Sequence, residues 1–265
     1  AEDGIRDRSP SRGLGDVYKR QGYRKVKSVI GHDSGAGVAG WSALIRPDVY
    51  ESVVMMSAPF SGAPGIPFDT LENGLGNGIK KDTIADELAA LSRPRKHYQH
   101  YYRTPPANSD IMNSESGLSD FIRAYYHHKS ADWKENNPFP LSSWTADELS
   151  KMPTYYIMDL EDSMPETVAK HMPTTHEINS CKWLTDNELE VYVSEYGRTE
   201  FQGGLNWYRS GGSTENHQKL ELFSGIQIKI PAMFIAGKQD WGIYQRPGAI
   251  GKMQNEVCTE MPAIQ

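Results

Sequence analysis

The segment Gly31-His32-Asp33-Ser34-Gly35 places a carboxylate between two glycines, after an apolar stretch and before a run of small residues. This spacing is typical of a nucleophile elbow, in which a strand turns sharply into a helix and holds the central residue in a strained conformation. There Asp33 would lie beside the positive end of the helix, remain ionised and attack an electrophilic carbon to form an ester. A base-activated water would then hydrolyse that ester. The alternative is that Asp33 only caps the helix that begins near Ser34.

The elements that must position Asp33 are two strands and the helix between them. The apolar pattern predicts strands over 26–30 and 52–56, with a helix from near Ser34 to about Arg46 between them, and this alternation predicts a parallel sheet. A further strand is predicted over 228–236, and its end delivers Asp240 into a loop. Doubly wound sheets place their chemistry at such strand ends, so we expect an α/β fold with a mostly parallel, doubly wound sheet.

Between these strands lies a long region without strand and helix alternation. At 265 residues the chain can hold a core domain with a sizeable insertion. We predict a core over 22–60 and 224–265 and an inserted, mainly helical lid over 61–223. Two capping boxes support the helices, Thr145 with Glu148 and Thr185 with Glu188. Residues 1–21 show no periodicity and are predicted to be an adapter-derived, non-native segment or a disordered tail.

Composition and charge exclude several classes of function. The net charge is −6, from 28 Lys and Arg against 34 Asp and Glu, so no basic stripe predicts a nucleic acid or membrane partner. No apolar run approaches the roughly 20 residues that span a bilayer, which predicts a soluble, cytoplasmic protein. Cys181 and Cys258 lie far apart and belong to no metal-spaced or redox-spaced pair. We therefore expect no disulfide framework and no metal site.

The elbow resembles that of two α/β-hydrolase families, the epoxide hydrolases and the haloalkane dehalogenases, which share a G-x-D-x-G motif commonly written with His before the Asp. Ser34 departs from the tryptophan that often follows this Asp and helps dehalogenases to hold halide. The resemblance implies that the backbone N–H of Ser34 contributes to an oxyanion hole, which does not depend on its side chain. It also implies a small, apolar epoxide as substrate, with water as second reactant and no cofactor.

Two lid segments resemble the epoxide hydrolases more closely. The string Phe201-Gln-Gly-Gly-Leu-Asn-Trp-Tyr208-Arg209 resembles the segment that carries a ring-opening tyrosine, which implies that Tyr208 is a proton donor. The string Lys96-His-Tyr98-Gln-His-Tyr-Tyr102 resembles the Y-Q-x-Y-F segment, which implies that Tyr98 is its partner. The alternatives are that both tyrosines only pack in an aromatic-rich lid, or that Tyr101 or Tyr102 is the true second donor.

The resemblance also assigns a triad acid. Asp240 occupies the place of the acid that orients a catalytic histidine, in the order nucleophile, acid, histidine, although it could also be an ordinary loop aspartate. No histidine follows Asp240, and no H-G-x-P oxyanion segment precedes the elbow. We therefore expect a fragment that lacks both ends of the family pattern and has little hydrolytic turnover by itself.

The resulting expectation is an epoxide hydrolase-like enzyme that forms a vicinal diol through an Asp33 ester. Two alternatives remain. A haloalkane or haloacid dehalogenase would use the same Asp33 ester, and a non-catalytic, ligand-binding homologue would keep the elbow without turnover.

Overall fold

The computed structural model describes residues 22, 24–65 and 83–262. The predicted adapter-derived or disordered segment, 1–21, lies outside the described residues. In chain order, the strands of the described residues are β1 (Val29–His32), β2 (Val53–Met56), β3 (Arg95–His97), β4 (Ile157–Asp159) and β5 (Ala232–Ile235).

The helices of the same residues are mostly short. In chain order they are α1 (Ser34–Ile45), α2 (Ile84–Ala89), α3 (Tyr98–Arg103), α4 (Ala107–Met112), α5 (Gly117–Lys129), α6 (Ala146–Leu149), α7 (Met164–Ala169), α8 (Thr175–Ser180), α9 (Asp186–Thr199), α10 (Gln202–Gly211), α11 (Thr214–Leu220) and α12 (Ala249–Lys252). Short 3-10 helices cover Glu221–Phe223 and Trp241–Tyr244, and a π-helical turn covers Met253–Val257. None of the helices in the described part of the chain is long and apolar enough to cross a membrane.

The chain divides into two compact units. Among the described residues, unit 1 holds those up to Ala63, Gly225–Ala236 and those from Ala249 onward, while unit 2 holds Pro64–Ser224 and Gly237–Gly248. The segment that the sequence assigns to the second part of the core, 224–265, is thus divided between the units, because 237–248 groups with unit 2.

Unit 1 is built on a parallel sheet of order β1-β2-β5. Val53 pairs with Val29 on one side and with Ala232 on the other. The predicted α/β class with a parallel sheet is therefore confirmed, and the helix predicted from near Ser34 to about Arg46 is α1, which ends at Ile45.

Two of the predicted strands of unit 1 begin several residues too early, and the one predicted over 52–56 begins one residue too early, because β2 starts at Val53. The strand predicted over 26–30 is β1, which starts at Val29, and the strand predicted over 228–236 shortens to β5. Val26 and Ile228 form only isolated parallel bridges, to Tyr50 and Cys258. Apolar side chains at these positions satisfied the sequence pattern, but a strand needs consecutive backbone pairs with its neighbour.

Unit 2 is mainly helical but contains a sheet that the sequence did not predict. Strands β3 and β4 pair antiparallel, with Arg95 opposite Asp159 and His97 opposite Ile157. Asp159 also accepts two hydrogen bonds from Arg93, at 2.6 and 2.7 Å. Strands of three residues are too short to show a period of two, so the pair could not be recognised from periodicity.

One of the two predicted capping boxes is confirmed. Thr185 accepts the backbone N–H of Glu188, and the Glu188 side chain accepts the backbone N–H of Thr185. The box predicted at Thr145 is wrong, because its side chain makes no cap hydrogen bond and Glu148 accepts the backbone N–H of Ser142 instead. Two further boxes were not predicted, those of Ser163 with Glu166 and Thr174 with Glu177.

Candidate active site

Asp33 lies between β1 and α1 with φ 54° and ψ −118°. A residue with a Cβ atom rarely adopts a positive φ, so this backbone is strained as a nucleophile elbow requires. The Asp33 N–H donates to the Met56 carbonyl at 3.0 Å, and its carbonyl accepts the Ala36 N–H at 2.9 Å. A Cβ atom on Gly31 would lie 1.9 Å from the Gly35 carbonyl oxygen, so the turn requires glycine at position 31.

The Asp33 side chain does not cap α1. Asp33 occupies the N-cap position, yet its carboxylate makes no cap hydrogen bond. The alternative reading of Asp33 as a helix cap is therefore not realised. The carboxylate is instead exposed to solvent at the start of the helix.

Ser34 is the first residue of α1. The first N–H groups of a helix have no partner within it, and the helix dipole makes that end partly positive. The first turn of α1 carries no acidic residue that would compete with an anion there. The backbone of Ser34 is thus suited to an oxyanion, as the resemblance implies, and this role stays a prediction.

Tyr98 and Tyr208 meet within unit 2 although they lie 110 positions apart in the sequence. Tyr98 begins α3 and Tyr208 lies on α10, and their ring centroids are 5.8 Å apart with the ring planes 80° to each other. The two helices are tied by side chain to backbone bonds. Arg103 Nε donates to the Tyr208 carbonyl at 3.1 Å, and Arg209 Nη2 donates to the Thr104 carbonyl at 3.1 Å.

The Tyr98 hydroxyl is held by two glutamines that the sequence analysis did not single out. It donates to Gln245 Oε1 at 3.3 Å and accepts from Gln99 Nε2 at 3.2 Å. The backbone N–H of Tyr98 donates to the Tyr156 carbonyl at 2.8 Å, which fixes the residue at the end of β3. Gln245 follows Asp240 in an irregular loop, where no periodic signal could have marked it.

The two alternative donors are engaged elsewhere in the core of unit 2. The Tyr101 hydroxyl donates to Asp110 at 2.9 Å, and burial raises the pKa of Tyr101. The Tyr102 and Tyr125 hydroxyls are hydrogen bonded to each other at 3.3 Å, and burial raises the pKa of Tyr102 as well. The Tyr102 ring does contact Tyr208, with centroids 5.1 Å apart. The hydroxyl partners therefore favour the Tyr98 assignment, which nonetheless stays a prediction.

Asp240 has a structural contact of its own. Its Oδ1 accepts the Gly242 N–H at 2.7 Å and so caps the short 3-10 helix Trp241–Tyr244. The loop is further tied to Asn136, whose Nδ2 donates to the Gln239 carbonyl at 3.0 Å. Asp240 is thus held on a well-anchored loop, and its role as a triad acid stays a prediction.

The sequence-predicted site residues are divided between the units. Asp33 and Ser34 belong to unit 1, while Tyr98, Tyr208 and Asp240 belong to unit 2. Of these, the structure brings Tyr98 and Tyr208 into contact. Within the described residues, no group of three His, Cys, Asp or Glu side chains is arranged to hold a metal ion.

Known proteins similar to this chain are epoxide hydrolases. Epoxide hydrolase 3 of Siraitia grosvenorii is 35% identical over 231 residues, which cover 86% of this chain and 56% of that protein. Epoxide hydrolase B of Mycobacterium tuberculosis is 26% identical over 257 residues, which cover 89% of this chain and 65% of that protein. The chain thus spans less than two thirds of the length of these relatives. No protein-family model matches it.

Solved structures agree on the fold. An epoxide hydrolase from an endophytic Streptomyces matches with a TM-score of 0.65 at 22% identity, covering 93% of this chain and 62% of that one. Potato (Solanum tuberosum) epoxide hydrolase I matches with a TM-score of 0.58 at 21% identity, covering 92% of this chain and 62% of that one. Together with the elbow and the parallel sheet, these matches show an α/β-hydrolase fold, and the sequence relatives make the chain epoxide hydrolase-like.

Proposed function

We propose that the chain carries the ring-opening machinery of an epoxide hydrolase. A carboxylate oxygen of Asp33 attacks one ring carbon of a small, apolar epoxide, and the bond from that carbon to the ring oxygen breaks. Tyr98 and Tyr208 hydrogen bond to the ring oxygen, and one of them transfers its proton as negative charge develops there. The product of this step is a hydroxyalkyl ester of Asp33.

The second step releases a vicinal diol. Water adds to the ester carbonyl, whose oxyanion the Ser34 N–H stabilises, and the acyl C–O bond then breaks to restore the Asp33 carboxylate. A base must take a proton from that water, and the proton released by hydrolysis restores the tyrosine that was left as a phenolate in the first step. Asp240 is the group we assign to orient such a base. This step requires no metal or organic cofactor.

The observation that carries the proposal is the pairing of Tyr98 with Tyr208 in the lid. The ring centroids of these two phenols are 5.8 Å apart, which supports their joint action on one small oxygen atom, and opening an epoxide needs an acid at that oxygen. A phenol suits this step because its proton stays in place until an alkoxide, a much stronger base, develops. The strained, uncapped conformation of Asp33 supports the nucleophilic half of the reaction.

The ester itself is the best test, because its formation does not depend on the second step. After the chain is incubated with styrene oxide, mass spectrometry should find one substrate mass added to the peptide that contains Asp33. The variant Asp33→Asn should give no adduct. The variant Asp120→Asn, which changes an exposed aspartate on α5, should react like the parent chain and controls for nonspecific alkylation.

Other outcomes would redirect the assignment. An adduct with a haloalkane, together with halide release and no reaction with epoxides, would make the chain a dehalogenase. Absence of an adduct with both substrate classes would contradict the nucleophilic role of Asp33 and favour a ligand-binding homologue.

A further inference from the structure

The side-chain amide of Gln245 lies between two phenols of unit 2. Its Oε1 accepts the Tyr98 hydroxyl at 3.3 Å, and its Nε2 donates to the Tyr156 hydroxyl at 3.2 Å. Gln99 Nε2 donates to the same Tyr98 hydroxyl at 3.2 Å. A hydroxyl has a single proton. In the bond with Gln99 the proton comes from the amide, so the Tyr98 proton is used in the bond to Gln245.

We propose that Gln245 is a positioning residue for ring opening, acting through Tyr98. This inference rests on the proposed function, in which Tyr98 is a proton donor. At rest the amide oxygen of Gln245 accepts the Tyr98 proton and keeps the hydroxyl in one orientation. When charge develops on the epoxide oxygen, that oxygen becomes the better acceptor, because hydrogen bonds to charged acceptors are about twice as strong as neutral ones.

The surroundings of Tyr98 explain why an amide suits this position. The rings that pack against Tyr98 are those of His97, Tyr102, Tyr156 and Tyr208, with centroids 5.1 to 5.8 Å away. A neutral acceptor holds the phenol among these rings without placing a charge beside it. A carboxylate at position 245 would bind the proton more tightly and disfavour ionisation of the phenol.

A double-mutant cycle separates positioning from a merely structural role. Gln245→Ala should slow formation of the Asp33 adduct about 10-fold, a modest part of what a general acid contributes, while the half-saturating epoxide concentration changes little. In a Tyr98→Phe background the same substitution should have no further effect. Equal slowing in both backgrounds would show that Gln245 acts on the fold and not through Tyr98, and would overturn the proposal.

A second measurement does not depend on activity. With tyrosine labelled by 13C at Cζ, the Tyr98 resonance is identified by its loss in Tyr98→Phe, and its titration gives the Tyr98 pKa. Gln245→Glu should raise that pKa, because a carboxylate beside the phenol disfavours phenolate. Gln218→Glu, which adds the same charge on the exposed surface of α11, should leave it unchanged.

The two measurements distinguish the two hypotheses. If the parent chain forms no adduct, the proposed function fails, while the Tyr98 titration still decides whether Gln245 controls the hydroxyl. If the adduct forms but Gln245→Glu leaves the Tyr98 titration where it was, the positioning role is wrong and the proposed function stands.

Discussion

At the scale of single residues, the lid raises the question of which tyrosine is the partner of Tyr208. Tyr98 and Tyr102 both contact the Tyr208 ring, but their hydroxyls differ in their partners. The Tyr98 hydroxyl is held by amide groups of glutamine side chains, whereas the Tyr102 hydroxyl is bonded to Tyr125 in the core. Exchanging a hydrogen bond to a neutral amide for one to a substrate costs less free energy than breaking a hydrogen bond between two buried phenols.

Because their hydroxyl partners differ, we expect substitutions of Tyr98 and Tyr102 to have different effects. Tyr98→Phe should slow formation of the Asp33 ester by about 100-fold, the lower end of what a general acid contributes. Tyr102→Phe should change that rate little and affect stability instead, because it leaves the Tyr125 hydroxyl without its partner. Single-turnover mass spectrometry measures both rates. The reverse order of effects would move the proton donor to Tyr102.

At the scale of elements, the elbow between β1 and α1 depends on its two glycines in different ways. A Cβ atom at Gly31 would collide with the Gly35 carbonyl, whereas a Cβ atom at Gly35 would meet nothing within 4 Å. The sequence motif treats both glycines alike. The structure shows that Gly31 makes room for the close approach of the chain, while Gly35 occupies an ordinary helical position.

Paired substitutions test this asymmetry. Gly31→Ala should lower the free energy of unfolding by more than about 2 kcal/mol, because backbone atoms must move to admit the methyl group. Gly35→Ala should leave it unchanged or raise it by up to about 1 kcal/mol, because alanine favours helix. Urea denaturation followed by circular dichroism measures both changes. Equal losses would mean that both positions need glycine.

At the scale of the whole molecule, a buried histidine links stability to pH. His128 has no exposed surface, stacks on His171 with ring centroids 3.7 Å apart and packs against Trp133 and Tyr155. Its ring nitrogens have no hydrogen-bond partner among the described residues. The pKa of His128 is lowered to about 3, mainly by burial and in addition by the positive charge of neighbouring His171.

Stability should fall with falling pH because His128 binds a proton more readily in the unfolded chain than in the folded one. Between pH 6.5 and about 3, His128 is protonated in the unfolded chain but not in the folded one, so stability falls as pH falls through this window. From pH 7 to pH 5 the free energy of unfolding should decrease by roughly 1–2 kcal/mol through this group.

Urea midpoints at the two pH values measure this decrease. His128→Phe should reduce it, while His217→Gln, at an exposed position on α11, should preserve it. A decrease that is the same in His128→Phe as in the parent chain would show that His128 is not the group responsible.

How much of this protein could be predicted depends on how local each feature is. The elbow, α1 and the parallel strands follow from a few consecutive residues, because glycine spacing and apolar runs constrain the backbone within one turn or one strand. The strand ends were less predictable, since Val26 and Ile228 are apolar but only bridge their neighbours. The box at Thr145 failed for a similar reason, because Glu148 found another partner at Ser142.

The sequence alone predicts that Asp33 lies on a strained turn in an α/β fold, because the glycine spacing of residues 31–35 and the apolar patterns on either side are local features. The packing of distant elements brings Gln245 to the Tyr98 hydroxyl across 147 positions of chain, whereas the pairing of Tyr98 with Tyr208 was already expected from the family resemblance. Packing also decided that 237–248 groups with unit 2. Contacts between distant segments depend on how whole elements pack, and no pattern within either segment records them.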